Sequence, residues 1–356
     1  MKGAALALLV AACGPVQTSI EWLEFGAVPL DAEGKTAELR VPWQADAKGI
    51  LIEVRSGSGR CFQVDPLTDE AGHTYVGPGE WGPYCSGCEQ RSAVAAGGGL
   101  FSFPSRPGPF APSGALQFRL GLRDCNTLTR EVPAASQTLS VRARRLAQAP
   151  KQGTLALRLV VTSASVFYAT KALEPVLTAL NAELASAHVT ARFVEVTRLG
   201  SEVGSGADFS RADPAQLQRL LAHAPQVPGI AVVLAGCLQL SDPVFGSRSE
   251  VQGYTPRIPG GVGPADGVFI AGALCGTPKP VSIAWSATGL GRVMAHELGH
   301  YLGLFHSVES DGTEDQLEDT GAANLMFNHP DTSSATGFSL SQGALMRAHP
   351  AVQPDL

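Results

Sequence analysis

The chain has 356 residues, of which 44% are hydrophobic and 16% are charged, with 40 glycines and 25 prolines. This composition is typical of a folded, loop-rich protein, excludes an intrinsically disordered chain, and leaves room for two domains. The formal net charge is −6 and no basic block or basic–aromatic pattern is present, so nucleic acid is not expected as a partner.

The first residues have the pattern of an export signal. Lys2 precedes a short apolar run that ends in small residues, and the segment 10–13 (VAAC) is similar to a bacterial lipobox. On this interpretation residues 1–12 are a signal peptide, and Cys13 is the lipidated first residue of a protein anchored to the bacterial outer membrane or cell surface. The alternatives are a plain signal peptide, which would make the protein a secreted one, and a buried apolar N-terminus. The run is too short for a permanent membrane-spanning helix.

Residues 13–146 are predicted to form a β-rich accessory domain. Apolar residues alternate with polar or small ones over 116–122, as in a half-buried strand, and 49–54 and 139–143 are similar short runs. Stretches dense in glycine and proline separate these runs, and no helical period of useful length is present. An all-β, sandwich-like antiparallel fold is therefore expected here.

The cysteines indicate disulfide bonds. Setting Cys13 aside, six cysteines remain, which is an even number in a chain expected to be exported. Pairing within each half of the chain is the simplest expectation, so that Cys237 pairs with Cys275. The connectivity stays open for the four in the first half, which are Cys61, Cys85, Cys88 and Cys125. A four-cysteine zinc site is the alternative for that set, although only Cys85 and Cys88 have ligand spacing.

Segment 147–153 (AQAPKQG) is predicted to be a linker to a second domain, residues 154–356. Beyond it, strand patterns at 154–161, 189–196 and 229–235 alternate with helical stripes. The helical stripes are a leucine series at positions 173, 177, 180 and 184, and a helix that opens at Asp213-Pro214. Strand–helix–strand–helix–strand predicts an α/β layer.

The string HELGHYLGLFH, which begins at His296, carries the chemistry of the chain. His296 and His300 are four apart, so on a helix they lie one turn apart on one face, with Glu297 beside them. Gly303 can adopt a positive φ, end the helix and return the chain, so that His306 reaches the same point. Three neutral imidazoles with one open position describe a catalytic zinc site and not a closed structural one.

This string fits the template H-E-x-x-H-x-x-G-x-x-H without mismatch and resembles the metzincin clan of zinc endopeptidases. The resemblance implies an upper sheet-and-helix half, an active-site helix at the cleft floor, predicted at 288–302, and a small irregular lower half. It also implies a methionine turn beneath the metal, for which 324–326 (NLM) makes Met326 the candidate. For the histidine motif, the alternative is a chance match on an amphipathic helix. For Met326, the alternative is an ordinary core methionine.

Two further segments resemble the pappalysin-like, or cytophagalysin-like, metzincins. Segment 315–320 (DQLEDT) is similar to their D-x-L-x-D-T element, and the tail from Gly337 is similar to the helix start that follows their methionine turn. The sequence departs from the family at Gly321, where proline is usual, and at Asn328, where many metzincins have a tyrosine near the metal. The resemblance favours Asp315 and Asp319 as ligands for calcium in this loop.

Six carboxylates crowd the loop after the zinc motif: Glu309, Asp311, Glu314, Asp315, Glu318 and Asp319. Like charges at this density repel unless they are neutralised, and calcium takes several hard oxygen ligands. Calcium bound by Asp315 and Asp319 is therefore a candidate second cofactor, and a solvated acidic loop is the alternative.

Two smaller expectations concern the cleft and the other histidines. Segment 267–271 (GVFIA) is either the edge strand that borders the cleft and pairs with an extended substrate, or an ordinary core strand. The histidines at 188, 223, 329 and 349 fit no ligand spacing and are expected on the surface.

The predicted function is that of a zinc-dependent endopeptidase. Zinc on three histidines lowers the pKa of its water, and Glu297, as general base, passes the proton to the departing amide nitrogen. The expected partners are a peptide or protein substrate and a membrane, bound through Cys13. One alternative is a catalytically silent surface lipoprotein that binds a partner, against which the intact Glu297 argues. Another is a zinc hydrolase of non-peptide amides or esters.

Overall fold

A computed structural model gives the fold of most of the chain. It describes residues 22–56, 60–78, 93–106, 110–133, 137–168, 173–201, 206–242, 246–261, 266–275, 286–310, 312–321, 323–328 and 337–354. The predicted signal segment with Cys13 lies outside these ranges, as do Cys85, Cys88, Asp311 and His329.

The chain before residue 147 forms antiparallel strands. In order they are β1 (Leu23–Pro29), β2 (Leu39–Val41), β3 (Gly49–Arg55), β4 (Cys61–Asp69), β5 (Thr74–Val76), β6 (Gly98–Phe103), β7 (Leu116–Arg123) and β8 (Thr138–Leu146). They make two four-stranded sheets, with orders β1-β8-β3-β6 and β2-β7-β4-β5. The three strands predicted from alternation correspond to β3, β7 and β8.

Side chains from both of these sheets share one hydrophobic cluster. Ile52, Phe101 and Leu139 come from the first sheet, and Phe62 and Phe118 come from the second. All five are at most 1% exposed. Along β8, buried residues alternate with more exposed ones, as the two-residue period of a half-buried strand requires.

After residue 152 the pattern of elements changes. The elements are β9 (Gly153–Thr162), α1 (Leu173–Leu184), β10 (Val189–Leu199), β11 (Ala207–Phe209), α2 (Ala215–Leu221), β12 (Ile230–Ala235), β13 (Leu238–Asp242), β14 (Ser247–Glu250), β15 (Gly253–Tyr254), β16 (Gly267–Ala271), α3 (Ala287–Tyr301), α4 (Leu340–Ala348) and β17 (Gln353–Pro354). Residues 147–152 of the predicted linker, 147–153, lie between β8 and β9, and Gly153 is the first residue of β9. The predicted strand–helix order is the observed order.

The main sheet of this part is largely parallel. Its strand order is β10-β9-β12-β16-β15. The short strand β17 also pairs with β9, outside this order. Strands β9, β10, β12 and β16 run parallel, and β15 runs antiparallel to β16. Hydrophobic clusters cover both faces, which explains why β12 and β16 are continuously apolar. The protein is therefore a mixed α/β structure with several sheets.

Helix α3 is held against the sheet and against α1. Gly291 of α3 permits this close approach, because a Cβ there would lie 2.7 Å from both Ala179 Cβ and Leu180 N. Leu290, Val293 and other buried residues of α3 join the same cluster as α1 and β9. The sheet thus fixes the position of the helix that carries the histidine motif.

Among the residues that the structure describes, β15 is the last strand at one edge of the sheet. β16, which the sequence left open as edge or core, lies between β12 and β15, and all five of its residues are buried. The core alternative is the correct one, because β15 supplies the antiparallel neighbour that covers β16.

Two disulfides join elements that are distant in sequence, as expected for this cysteine pattern. Cys61 is bonded to Cys125, and Cys237 is bonded to Cys275. Among the described residues, no helix has the length and hydropathy needed to cross a bilayer.

Candidate metal centre

Helix α3 has clear start and stop signals. At its start, Ser286 Oγ accepts a hydrogen bond from Gly289 N at 3.1 Å, which satisfies a free amide of the first turn. At its end, Gly303 adopts φ 106°, and Leu304 N donates to Gly299 O at 2.9 Å. The chain turns back through this glycine, as the sequence predicts, and carries the next residues towards the helix face.

The turn brings three histidines together. His296, His300 and His306 each offer a ring nitrogen, and these nitrogens all lie within 4.8 Å of one another. The Nε2 atoms of His300 and His306 are 3.2 Å apart. Within the described residues this is the one group of three or more side chains placed to share a metal ion.

A protein oxygen engages the other ring nitrogen of each histidine. His296 Nδ1 lies 2.8 Å from Leu325 O, and His300 Nδ1 lies 2.7 Å from Leu304 O. His306 Nδ1 lies 2.7 Å from Glu309 Oε2. Each Nδ1 must carry the proton to donate to these oxygens, which leaves each Nε2 lone pair for a metal. Such partners fix the tautomer and orientation of metal-ligating histidines.

Burial favours the neutral form of His296. Its pKa is lowered to about 3, first by desolvation and then by the nearby His306, while the hydrogen bond to Leu325 opposes the shift. A neutral imidazole is the form that binds a metal. The three-histidine group therefore suits zinc in both geometry and protonation.

Glu297 is buried beside the histidines. Its Oε2 atom lies 2.8 Å from Thr255 Oγ1, and the same hydroxyl is 2.9 Å from the Glu297 backbone oxygen. Burial raises the pKa of Glu297 to about 8, and the Thr255 hydrogen bond opposes that rise. Gly253 passes so close that a Cβ there would lie 2.5 Å from Glu297 Oε1, so a side chain at this position would displace the Glu297 carboxylate.

Met326 packs against α3. It is fully buried, and its sulfur would lie 2.6 Å from a Cβ placed on Gly299, the residue before His300. Asn324 shapes this turn, because its Oδ1 accepts from Met326 N at 2.8 Å. The turn also presents the carbonyl of Leu325 that orients His296. The segment therefore packs beneath the three-histidine group and also orients His296.

A cavity of about 220 Å³ opens beside these residues. The α3 region contributes Glu297, His300, Phe305, His306 and Glu309 to its lining. The other lining residues are Gly253 and Tyr254 of β15, Thr255, Pro256 and Ile258 just after it, Arg211, and Ala93, Val94 and Leu128 of the β-rich part. The cavity therefore brings together two of the three clustered histidines, two carboxylates, strand β15 and residues from the N-terminal half.

The carboxylates proposed for calcium have protein partners. Asp319 accepts from Ser339 Oγ at 2.8 Å and from Ser341 N at 3.0 Å, so it ties the acidic loop to the start of α4. Asp315 Oδ1 accepts from Thr320 Oγ1 and from Leu317 N. Both carboxylates thus serve to order the loop, and calcium binding stays a prediction from the sequence.

The expectation for the other histidines is wrong at one position. His188 and His223 are exposed, but His349 is only 4% exposed. It lies at the end of α4, where its Nε2 is 3.1 Å from Gly260 O and its Nδ1 accepts from Ala351 N. Ligand spacing alone could not reveal that the chain after α4 folds back onto residue 260.

Two neighbours of the site were not singled out by sequence reasoning. Glu309 was counted only as one carboxylate of the acidic loop, although its offset of three from His306 allows contact. Thr255 lies 42 residues from Glu297, in a segment without a motif, so only the fold brings the two together.

Comparison with known proteins gives distant likenesses only. No protein-family profile and no curated protein matches the chain. Metalloproteinase-II from Bacteroides fragilis aligns with TM-score 0.33 and 15% identity, over 60% of this chain and 63% of that one. Archaemetzincin from Methanopyrus kandleri aligns with TM-score 0.30 and 18% identity, over 56% and 90%. A chaperone–substrate complex aligns with TM-score 0.29 and 13% identity, over 59% and 37%.

At these TM-scores the likenesses carry no functional conclusion. The chain also spans less than two thirds of the Bacteroides fragilis protein. What the chain itself holds is a mixed α/β fold with a three-histidine group suited to zinc.

Proposed function

We propose that this protein is a zinc-dependent endopeptidase. The observation that carries the proposal is one cavity lined by the buried Glu297, by β15 and by His300 and His306, which group with His296 as a candidate metal site. Each of the three parts serves a different need of peptide hydrolysis: a metal, a base and a place for an extended chain.

His296, His300 and His306 would hold the zinc ion through their Nε2 atoms. A zinc ion on three histidines keeps a coordination position open and supplies Lewis acidity that activates water and polarises a carbonyl. The acceptors on the three Nδ1 atoms are a backbone carbonyl for two histidines and Glu309 for the third. This arrangement makes the imidazoles more basic and holds them in place.

Glu297 would act as the general base. Its Oε2 is engaged by Thr255, which leaves Oε1 to take a proton from the attacking water. The carboxyl group would then give this proton to the departing amide nitrogen. The protein environment already raises the pKa of Glu297 towards the neutral range, where a group can both accept and return a proton.

A peptide substrate would lie along β15. This strand is the edge of the main sheet, and Gly253 to Pro256 line the cavity. An exposed sheet edge binds an extended peptide by main-chain hydrogen bonds, which requires little of the substrate's side chains. The sheet edge favours peptides over small amides and esters, which lack a strand-forming backbone.

The direct experiment is digestion of casein and of a peptide library by the zinc-loaded protein. The matched control is Glu297→Gln, which keeps the size of the side chain and removes the base. We expect internal cleavage by the parent and a loss of at least about a hundredfold in the variant at equal zinc content. Cleavage that persists in Glu297→Gln would refute the proposed mechanism, and hydrolysis of esters alone would point to a different hydrolase.

We also infer from the sequence that the chain is exported and anchored through Cys13. Mass spectrometry of the mature N-terminus should find an acylated Cys13, and Cys13→Ser should release soluble protein. A mature chain that begins elsewhere would make the protein a secreted enzyme.

A further inference from the structure

The β-rich part of the chain reaches into the cavity beside the zinc ligands. Ala93 and Val94 line that cavity together with Glu297 and His300. We propose that the segment 93–96 forms one end wall of the peptide cleft and limits how many substrate residues bind on that side of the scissile bond. This inference rests on the proposed function and adds a determinant of specificity to it.

The first observation is a backbone pairing between the two parts of the chain. Ala93 N donates to Ile258 O at 2.9 Å, and Ile258 N donates to Ala93 O at 3.2 Å. This is an isolated antiparallel bridge on the segment that continues β15. Both backbone groups of Ile258 are therefore used within the protein. A substrate that pairs with this edge cannot extend its hydrogen bonds to residue 258.

The second observation is that a buried arginine fixes the wall. Arg257 Nε donates to Gly98 O at 2.9 Å, and its Nη2 donates to Ala96 O at 2.8 Å. The same guanidinium forms an ion pair with Asp266 and is part of a residue that is only 8% exposed. Charge-assisted hydrogen bonds to buried carbonyls are costly to break. The segment therefore stays in place while a substrate binds.

The number of residues between the catalytic position and the wall can be counted along the segment that continues β15. Thr255 marks the position of Glu297 on this edge, and Ile258 marks the wall. Three residues of extended chain span at most about 11 Å, so about three substrate residues fit between the scissile bond and the wall.

The surface of the wall is apolar. Val94 is 5% exposed and Leu128, from a neighbouring turn of the β-rich part, is 4% exposed, and both line the cavity. An apolar substrate residue that packs against these side chains stabilises the complex by burying apolar surface. A charged substrate residue would be disfavoured there because it would lose its hydration. The cleft should therefore prefer an apolar residue next to the wall.

The experiment measures kcat/KM of the zinc-loaded, full-length protein on nested peptides that grow by one residue on either side of a fixed cleavage site. The parent should gain from added residues on one side only up to about three, and a fourth should give no gain or a loss. Val94→Gly should raise kcat/KM about tenfold for peptides beyond the limit and leave shorter ones unchanged, whereas Val94→Phe should shorten the limit. Val132→Gly is the matched control, because Val132 is 62% exposed and does not line the cavity.

Melting temperature and zinc content identify a variant that fails to fold, and Val94→Phe then still tests the wall from the opposite direction. A parent with no length limit on either side would overturn the inference. So would a Val94 variant that changes the rate equally for peptides of every length, because that result indicates a general obstruction. Hydrolysis of no peptide at any length would instead refute the proposed function itself, and the end wall with it.

Discussion

The hydroxyl of Thr255 can serve both protonation states of Glu297. It lies within hydrogen-bond distance of the Glu297 carboxylate and of the Glu297 backbone oxygen. When the carboxylate is charged, the hydroxyl can donate to Oε2. When Glu297 carries a proton, the hydroxyl can accept from it and donate to the backbone oxygen, because a hydroxyl has one donor and two acceptor sites. A general base passes through both states in each turnover.

Thr255→Val should therefore lower kcat more than it raises KM. The loss of a hydrogen bond to a charged group costs about ten- to a hundredfold in rate. Thr255→Ser retains the hydroxyl and should restore most of the activity, and zinc content should be the same in all three proteins. Steady-state kinetics with metal analysis would check this. A Thr255→Val protein with the parental kcat would show that the contact is only structural.

Single residues differ in how far the sequence predicts them. The three clustered histidines and Glu297 lie within eleven residues, so helix geometry and one glycine suffice to bring them together. Thr255 and Gly253 reach Glu297 only because β15 crosses above α3, which no local pattern encodes. His349 was predicted at the surface for the same reason, since its burial depends on the packing of α4 against residue 260.

At the scale of elements, the turn after α3 determines the position of His306. Gly303 has φ 106°, which other residues rarely adopt, yet a Cβ there would meet only Pro259 Cβ, at 3.9 Å. A substitution would therefore be opposed by backbone conformation and not by lack of space. The hydrogen bond from Leu304 N to Gly299 O depends on the same turn.

Gly303→Ala should lower the free energy of unfolding by about 1–3 kcal/mol, the usual cost of such a conformation in a residue with a Cβ. It should also weaken zinc binding, because His306 follows the turn. Gly321→Ala is the control, since a Cβ there meets nothing within 4 Å and its φ is not positive. Thermal melts and zinc titration of both variants test this. Equal zinc affinity in Gly303→Ala and the parent would contradict it.

Elements with a strong period could be predicted from the sequence, and elements defined by their neighbours could not. The leucine stripe gives α1, and the continuous apolar run gives β12. β15 has only two residues and no pattern, so its place at the sheet edge depends on its partner β16. The sequence therefore left the edge of the cleft undecided.

At the scale of the whole molecule, buried histidines link stability to pH. The pKa of His349 falls from 6.5 to about 4 in the folded protein, chiefly through burial. Between these values the unfolded chain binds more protons than the folded one, so stability rises with pH through this window. The stabilisation is fully present above about pH 6.5 and is lost as the pH falls towards 4.

The difference in free energy of unfolding between the parent and His349→Gln should therefore shrink as the pH is lowered from 7 to 4. A shift of this size amounts to on the order of 3 kcal/mol. His296 and Glu297 are present in both proteins. Comparing the two proteins at each pH therefore cancels the contributions of these residues to the pH dependence of stability. Denaturant unfolding at equal zinc content checks it, and a difference that stays constant across the window would show that His349 does not carry this linkage.

The change of period near residue 150 predicted the observed change from strands alone to mixed strands and helices, and the division into two domains stays a prediction. The contacts between these two parts of the chain were not predicted, because Ala93 and Ile258 lie 165 residues apart and pair through backbone atoms that no side-chain pattern records. The arginine that secures them, Arg257, likewise lies in a segment without a motif.

The measurement that tests the central claim most directly is a zinc titration of metal-stripped protein, with hydrolysis of an internally quenched peptide as the readout. The three-histidine site and Glu297 predict no activity without metal, a linear rise with added zinc, and a plateau at one zinc per chain. Full activity in the stripped protein, or no activity at one zinc per chain on any peptide, would contradict the assignment of this chain as a zinc endopeptidase.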